Sequence, residues 1–415
     1  MAFAQLEEYR STSNPYYWKN KKPFDGYWQQ DVNYFIKGTL LDSLDLMDAK
    51  VELTYYNNSP DSLKEVYFHL YQNAFLKGGY LEQLNLANNF HQKFGKYEMD
   101  GKGTEIESVI IKRMRYGGGG TDEQGNKMAI DPLIEEITIT PKLDFSIMKL
   151  VLDEPILPNT SLSFVIKFKT YFDAGGTQRR RMKTFDTYGN KHFDGVHWYP
   201  RICVYDRKFG WETDQHLGKE FYGDFGTFYV ELNMPNHYVM DATGVLINKD
   251  EVLPTDLRSK LDIKNYKDKP LGEKPSIITS PNGTFKTWKF RAINVHDFAW
   301  TADPTYRIGE VNLKLPNGHI VQCVSLVQEQ NASRWQDAAP FAAKIIDIYS
   351  RDFGMYAYPK MIVADARDGM EYPMLTLDGG LSPGYYGLFA HEIGHNWFFG
   401  MVGNNETYRA SLDEG

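Results

Sequence analysis

Close to the carboxy-terminal end of the chain, two histidines stand four residues apart with a glutamate beside the first: His391-Glu392-Ile393-Gly394-His395. This run constrains the fold more than any other, because its residues share a chemistry only on a helix. There positions i and i+4 lie one turn apart on the same face, and both imidazoles can reach one point. Imidazole nitrogens suit a zinc ion, which in catalytic sites takes three protein ligands and keeps one position open. Two ligands come from this turn, so the third must arrive from a later element. Glu414, at 414 − 395 = 19 positions beyond the second histidine, is the candidate. Glu392 directly follows the first ligand, within reach of the metal but angled away from ligation, and reads as the general base for an attacking water. With only 10 histidines among 415 residues, chance is a poor account of the pattern.

The flanks favour a built site. Leu388, Phe389, Ile393, Trp397, Phe398 and Met401 supply apolar bulk around the helix, while Gly384, Gly387, Gly400 and Gly403 mark its ends. A length of 415 residues points to two or three domains, since single cores seldom grow beyond about 250 residues. An apolar content of 42% with 15% aromatic residues is ample for sizeable cores, so the chain is globular. A net charge of −8 argues against a general nucleic-acid or anionic-membrane binder, which would carry a basic excess. No run reaches the roughly eighteen apolar residues of a membrane span. Cys203 and Cys323 sit far apart in apolar, strand-like runs and read as buried free thiols. At the amino terminus Ala2-Phe3-Ala4-Gln5 resembles the small-x-small end of a secretory signal, which favours a periplasmic or secreted protein over a cytoplasmic one.

From about residue 30 to 300 the apolar pattern has period two, bounded by Gly, Pro, Asn and Asp. Residues 51–56, 65–70, 108–112, 136–140, 162–168, 227–232 and 284–290 read as strands, and their number implies an antiparallel sandwich or saddle-like sheet. Residues 81–99 read as an excursion between strands. Tyr116-Gly117-Gly118-Gly119-Gly120-Thr121 reads as a hairpin tip, since no Gly-Lys-Ser/Thr follows it, and Arg179-Arg180-Arg181-Met182-Lys183 as a solvated loop. After about residue 305 the grammar changes. Strands over 311–315 and 320–324 are joined across Pro316-Asn317-Gly318. A helix is expected over 333–351, stopped at Gly354 and either kinked or started late by Pro340. A strand over 360–364 then delivers the chain to Asp368-Gly369-Met370-Glu371-Tyr372-Pro373. An edge-strand carboxylate at Glu371 can run beside a bound peptide and capture its charged amino terminus.

Three runs, Asp368-Gly369-Met370-Glu371-Tyr372, His391-Glu392-Ile393-Gly394-His395 and Leu412-Asp413-Glu414-Gly415, together resemble the exopeptidase, zinc and third-ligand motifs of the alanyl-aminopeptidase family of gluzincins. Trp198-Tyr199-Pro200 and His296-Asp297-Phe298-Ala299-Trp300 resemble landmarks of that family's amino-terminal saddle domain, in the form of its bacterial secreted members. The resemblance spans residues 30–415. It implies an α+β chain: an amino-terminal extension (1–29), an antiparallel β saddle domain (30–305) and the first half of a thermolysin-like catalytic domain (306–415). It implies one zinc ion on His391, His395 and Glu414, Glu392 as base, Glu371 on the substrate amine, and peptide substrates. Asp368 stands where the family pattern has its first glycine, and Tyr372-Pro373 where it has asparagine. Family members also continue past the third ligand with a helical half-domain and an oxyanion-supporting tyrosine. The chain is therefore expected to be the front portion of a longer enzyme, binding zinc weakly by itself. An endopeptidase and a non-catalytic peptide-binding scaffold are the alternatives.

Overall fold

The structure, a computed structural model, describes residues 8–115, 133–173, 182–218 and 220–415. The Ala2–Gln5 run, the Gly-rich stretch 116–121 and Arg179–Arg181 lie outside these residues. Sheets dominate and helices are few, giving a mixed α and β chain.

The largest sheet follows directly from the period-two segments. Its strands, in spatial order, are Val245–Leu246, Phe285–Val295, Gly226–Pro235, Asp31–Leu41, Leu46–Asn57, Thr160–Tyr171, Thr104–Arg115 and Leu133–Thr138. Along Leu46–Asn57 the side chains of Met47, Ala49, Val51, Leu53 and Tyr55 are buried while their neighbours face outward, the alternation that one covered face demands. Asp31–Leu41 pairs in parallel with Gly226–Pro235, the one departure in this sheet from the expected antiparallel order. The long excursion through residues 42–225 makes that crossover possible.

Two four-stranded sheets lie against it. One runs Arg201–Ile202, Leu63–His69, Ile147–Ile156, Lys142–Asp144; the other runs Val239–Ala242, Trp300–Asp303, Asn190–Gly195, Lys183–Thr187. The two landmark runs meet between these sheets: Trp198 Nε1 donates to Phe298 O at 3.2 Å, and Tyr199 Oη donates to Asp297 Oδ1 at 2.8 Å. Gly195 is obligatory there, since a Cβ would lie 1.9 Å from the Trp300 ring. Residues 81–99 hold two short helices, Tyr80–Ala87 and Lys96–Met99. The end of the basic run is not a solvated loop: Met182 is fully buried and Lys183 opens a strand.

The last part of the chain forms a five-stranded mixed sheet, ordered Tyr306–Lys314, Ile320–Gln328, Lys360–Asp365, Leu375–Asp378, Met370–Tyr372. The helix Ala338–Asp352 packs on it. It starts later than residue 333 because Pro340, with no N–H and a ring that excludes a preceding turn, fits only in the first turn. It stops at Gly354, whose φ is +122°. One continuous apolar core joins this sheet to the β layers. Cys203 and Cys323 are both free and buried. No helix among the described residues is long and apolar enough to cross a membrane.

A polar knot lies inside this core. His192 Nε2 is 2.9 Å from Asp194 Oδ1 and its Nδ1 is 3.1 Å from Asp303 Oδ2, with all three side chains inaccessible to solvent or nearly so. Burial alone would push the imidazole pKa down, but the two carboxylates outweigh it and hold it up at about 9. A folded pKa above the unfolded value of 6.5 contributes stability that is complete below that value and is lost as the pH rises through about 9. The melting temperature should therefore fall between pH 6.5 and 9, and Asp194→Asn should be less stable at pH 6 with a flatter dependence. Thermal melts across that range check this, and equal slopes for the two proteins would refute it.

Candidate metal centre

The helix Tyr386–His395 presents two faces. Phe389, Ile393 and Trp397, spaced by four, are 0–3% exposed and pack toward the helix Ala338–Asp352 and Trp335. The Phe389 ring stacks on Tyr385 at 4.3 Å and meets Trp335 at 5.3 Å, while Tyr349 Oη donates to Ala390 O at 3.1 Å. Leu388 is only half-buried and Phe398 is exposed, so the apolar face is narrower than the sequence suggests. The helix continues into a π-helical turn, Asn396–Met401. Buried Asn396 Oδ1 there accepts from Met374 N at 3.0 Å and Tyr356 Oη at 3.3 Å, locking the helix end to the sheet.

The opposite face carries His391 and His395. Their Nε2 atoms lie 3.1 Å apart, and His391 Nε2 is 3.6 Å from Glu414 Oε2. One ligand atom from each of His391, His395 and Glu414 falls within 4.8 Å of the others. Nitrogens bound at about 2.0–2.1 Å in tetrahedral geometry are separated by about 3.3 Å, so the donor spacing fits a zinc-sized ion. His395 is buried and His391 half exposed, which leaves the common point open on one side.

Behind His395 stands a residue that motif spacing did not single out. Asp413 Oδ1 accepts from His395 Nδ1 at 2.5 Å, with both side chains buried. That bond fixes the tautomer and leaves the Nε2 lone pair directed at the shared point. Its adjacency to Glu414 was the available signal. The segment bringing both acids in is held from outside the helix. Tyr408 packs on Phe209 at 4.9 Å, from the tip of the hairpin Tyr205–Asp206/Gly210–Trp211, and Thr407 Oγ1 donates to Glu220 O at 3.3 Å.

Glu392 is 4% exposed, and one of its oxygens joins Glu371 and His395 in a second group within 4.8 Å. Gly369 is the close approach that allows this: a Cβ there would lie 2.7 Å from Glu392 Oε1. Glu371 is buried in Met370–Tyr372, at the edge of the five-stranded sheet. Tyr372, standing where the resembled motif has asparagine, ties this edge to the β layers, its hydroxyl lying 3.1 Å from His197 Nε2. Glu220 comes within 4.8 Å of Glu371 and Glu414. No local pattern marks it, because it reaches the site from a loop more than 150 residues earlier. Buried Glu406 completes the acidic surroundings, its carboxyl pushed up to about 8 by burial first and then by Asp413.

No protein-family model matches the chain, and no curated protein matches it in sequence. Solved structures do. The chain is similar to a mutant of the M1 zinc metallopeptidase from Deinococcus radiodurans, with a TM-score of 0.56 and 12% identity over 93% of this chain and 68% of that one. A complex of that mutant with a Tyr-Ser-Ala substrate matches with a TM-score of 0.55 at 12% identity, over 93% and 68% of the two chains. A two-domain M1 zinc metallopeptidase bound to L-tryptophan matches with a TM-score of 0.56 at 12% identity, over 94% and 69%. The chain thus has the fold of the M1 zinc metallopeptidases.

Proposed function

We propose that the chain carries the site of a zinc-dependent aminopeptidase that removes residues from the amino termini of peptides. The observation carrying this reading is the convergence of His391, His395 and Glu414 on one point, with Asp413 behind His395 and Glu392 alongside. His391, His395 and Glu414 would hold the ion. The chemistry zinc supplies in such a donor set is polarisation of the scissile carbonyl and a water acidic near pH 7. Glu392 takes a proton from the attacking water and hands it to the leaving amine. Its burial beside Gly369 keeps the carboxylate aimed and excludes competing water.

Glu371 supports the exopeptidase half of the reading. A peptide laid along the edge strand Met370–Tyr372 would bring its ammonium to this carboxylate, and Glu220 adds a second acid within the same 4.8 Å. A neighbour of like fold bound to Tyr-Ser-Ala supports peptides as the ligand class. In this reading residues 30–305 form the β shell, 306–415 bear the metal, and 1–29 are an extension.

Glu392→Gln should retain zinc and lower turnover of an aminoacyl-arylamide at least a hundredfold. Zinc content measured alongside rate checks this, and wild-type turnover in a zinc-replete variant would remove Glu392 as base. Asp413→Ala should weaken zinc about 10- to 100-fold by releasing His395, read by competition with a chromogenic chelator. Unchanged affinity would reduce Asp413 to a packing residue. Cleavage of N-acetylated peptides as fast as free ones would favour the endopeptidase alternative.

A further inference from the structure

The loop leading into the strand that carries Glu371 is gripped by a strand from a different sheet. Residues 366–369 join Lys360–Asp365 to Met370–Tyr372, and against them lies Lys183–Thr187, the outer strand of its four-stranded sheet. Side chains alternate along a strand, so Lys183, Phe185 and Thr187 share one face. All three touch the loop. Lys183 Nζ is 2.7 Å from Asp368 Oδ2 and donates to Arg367 O at 3.1 Å. The Arg367 guanidinium lies over the Phe185 ring, 4.1 Å from its centroid, and donates to Thr187 Oγ1 at 2.6 Å.

The grip bears on the site. The Asp368 side chain is 1% exposed, and a carboxylate buried that far needs charge compensation to stay ionised. Arg367 has a φ of +54°, a left-handed conformation that a non-glycine residue keeps only when its surroundings hold it. Gly369, the next residue but one, makes the close approach to Glu392, and Glu371 lies two residues further on. The gripping strand is itself braced: Phe185 stacks on His192 at 4.3 Å, and His192 is fixed between Asp194 and Asp303.

We propose that the Lys183–Asp368 pair, with Arg367 laid across Phe185 and Thr187, is a clasp that sets where Glu371 stands. Lys183 is then a positioning residue for recognition of a peptide's amino terminus. This rests on the reading of Glu371 as the amine anchor. It also explains the acid at position 368, whose carboxylate is the handle by which the β layer holds the anchor loop.

The test uses the zinc-loaded chain and calorimetric binding of a free-amine tripeptide and its N-acetylated counterpart. Glu371→Gln and Lys183→Met should each weaken the free-amine peptide about tenfold and leave the acetylated one within about twofold, as expected for an anchor and its support. Lys183→Arg should restore most of the loss, and Arg367→Ala, at an exposed residue, should give a smaller loss in the same direction. Should Lys183→Met not fold, Arg367→Ala and the charge-neutral pair Lys183→Met/Asp368→Asn carry the test. If Glu371→Gln loses the free-amine peptide while the clasp variants bind it as wild type does, the contact merely ties two sheets and the proposal is overturned. If Glu371→Gln binds both peptides like wild type, or wild type does not distinguish them, the anchor reading itself falls.

Discussion

Two imidazole nitrogens 3.1 Å apart, close enough to share a hydrogen bond or a cation, keep that spacing only on a scaffold that will not let the rings part. The rest of this region is that scaffold. A helix offers the pair only if it cannot rotate or bend, and the constraints are visible along its length: Phe389 and Ile393 seated in the core, Tyr349 bonded to its backbone, and Asn396 locking its final turn to the sheet. Asp413 then holds the one ring that is buried. His391 stays half exposed, so the shared point keeps the open side that a ligand needs.

The acids around this point are arranged by depth. Glu392, Glu371, Asp413 and Glu406 are buried, whereas Glu414 reaches the point from the exposed side. Burying so many carboxylates together is unfavourable unless cations or donors answer them. The helix itself answers Asp413 through His395, and the other answers come from outside it: Lys183 for Asp368, and the hairpin and loop contacts that keep the 404–414 segment in place. The β layers therefore do more than cover the five-stranded sheet. Through Lys183, His197 and Glu220 they reach its working edge.

Much of the architecture was legible from residue order. The strands within Leu46–Asn57, Thr160–Tyr171 and Gly226–Pro235 follow from alternation, since one covered face imposes a period of two. The late start of Ala338–Asp352 follows from Pro340. The hairpin Lys183–Thr187/Asn190–Gly195 escaped because it lacks that alternation: Phe193 is buried but Lys191, His192 and Asp194 surround it, and the polar His192 is accommodated inside the core by Asp194 and Asp303 on its two ring nitrogens. Leu375–Asp378, buried on both faces, carries no periodic mark and is told from a loop only by its pairing with Lys360–Asp365 on one side and Met370–Tyr372 on the other.

The pairing of His391 with His395 was determined by the sequence itself, because helical periodicity is a local rule that puts i and i+4 on one face, and Glu392 follows as the next residue in the chain. Glu414 and Glu371 were named from spacing and motif. That they stand beside the histidines depended on the segment 404–414 folding back and on Met370–Tyr372 taking the sheet edge. Asp413 as the support of His395, Glu220 as a neighbour of Glu371, and Lys183 as the counter-ion of Asp368 were decided only in three dimensions. Each joins residues brought together by sheet pairing and core packing, and such long-range contacts leave no periodic trace in residue order.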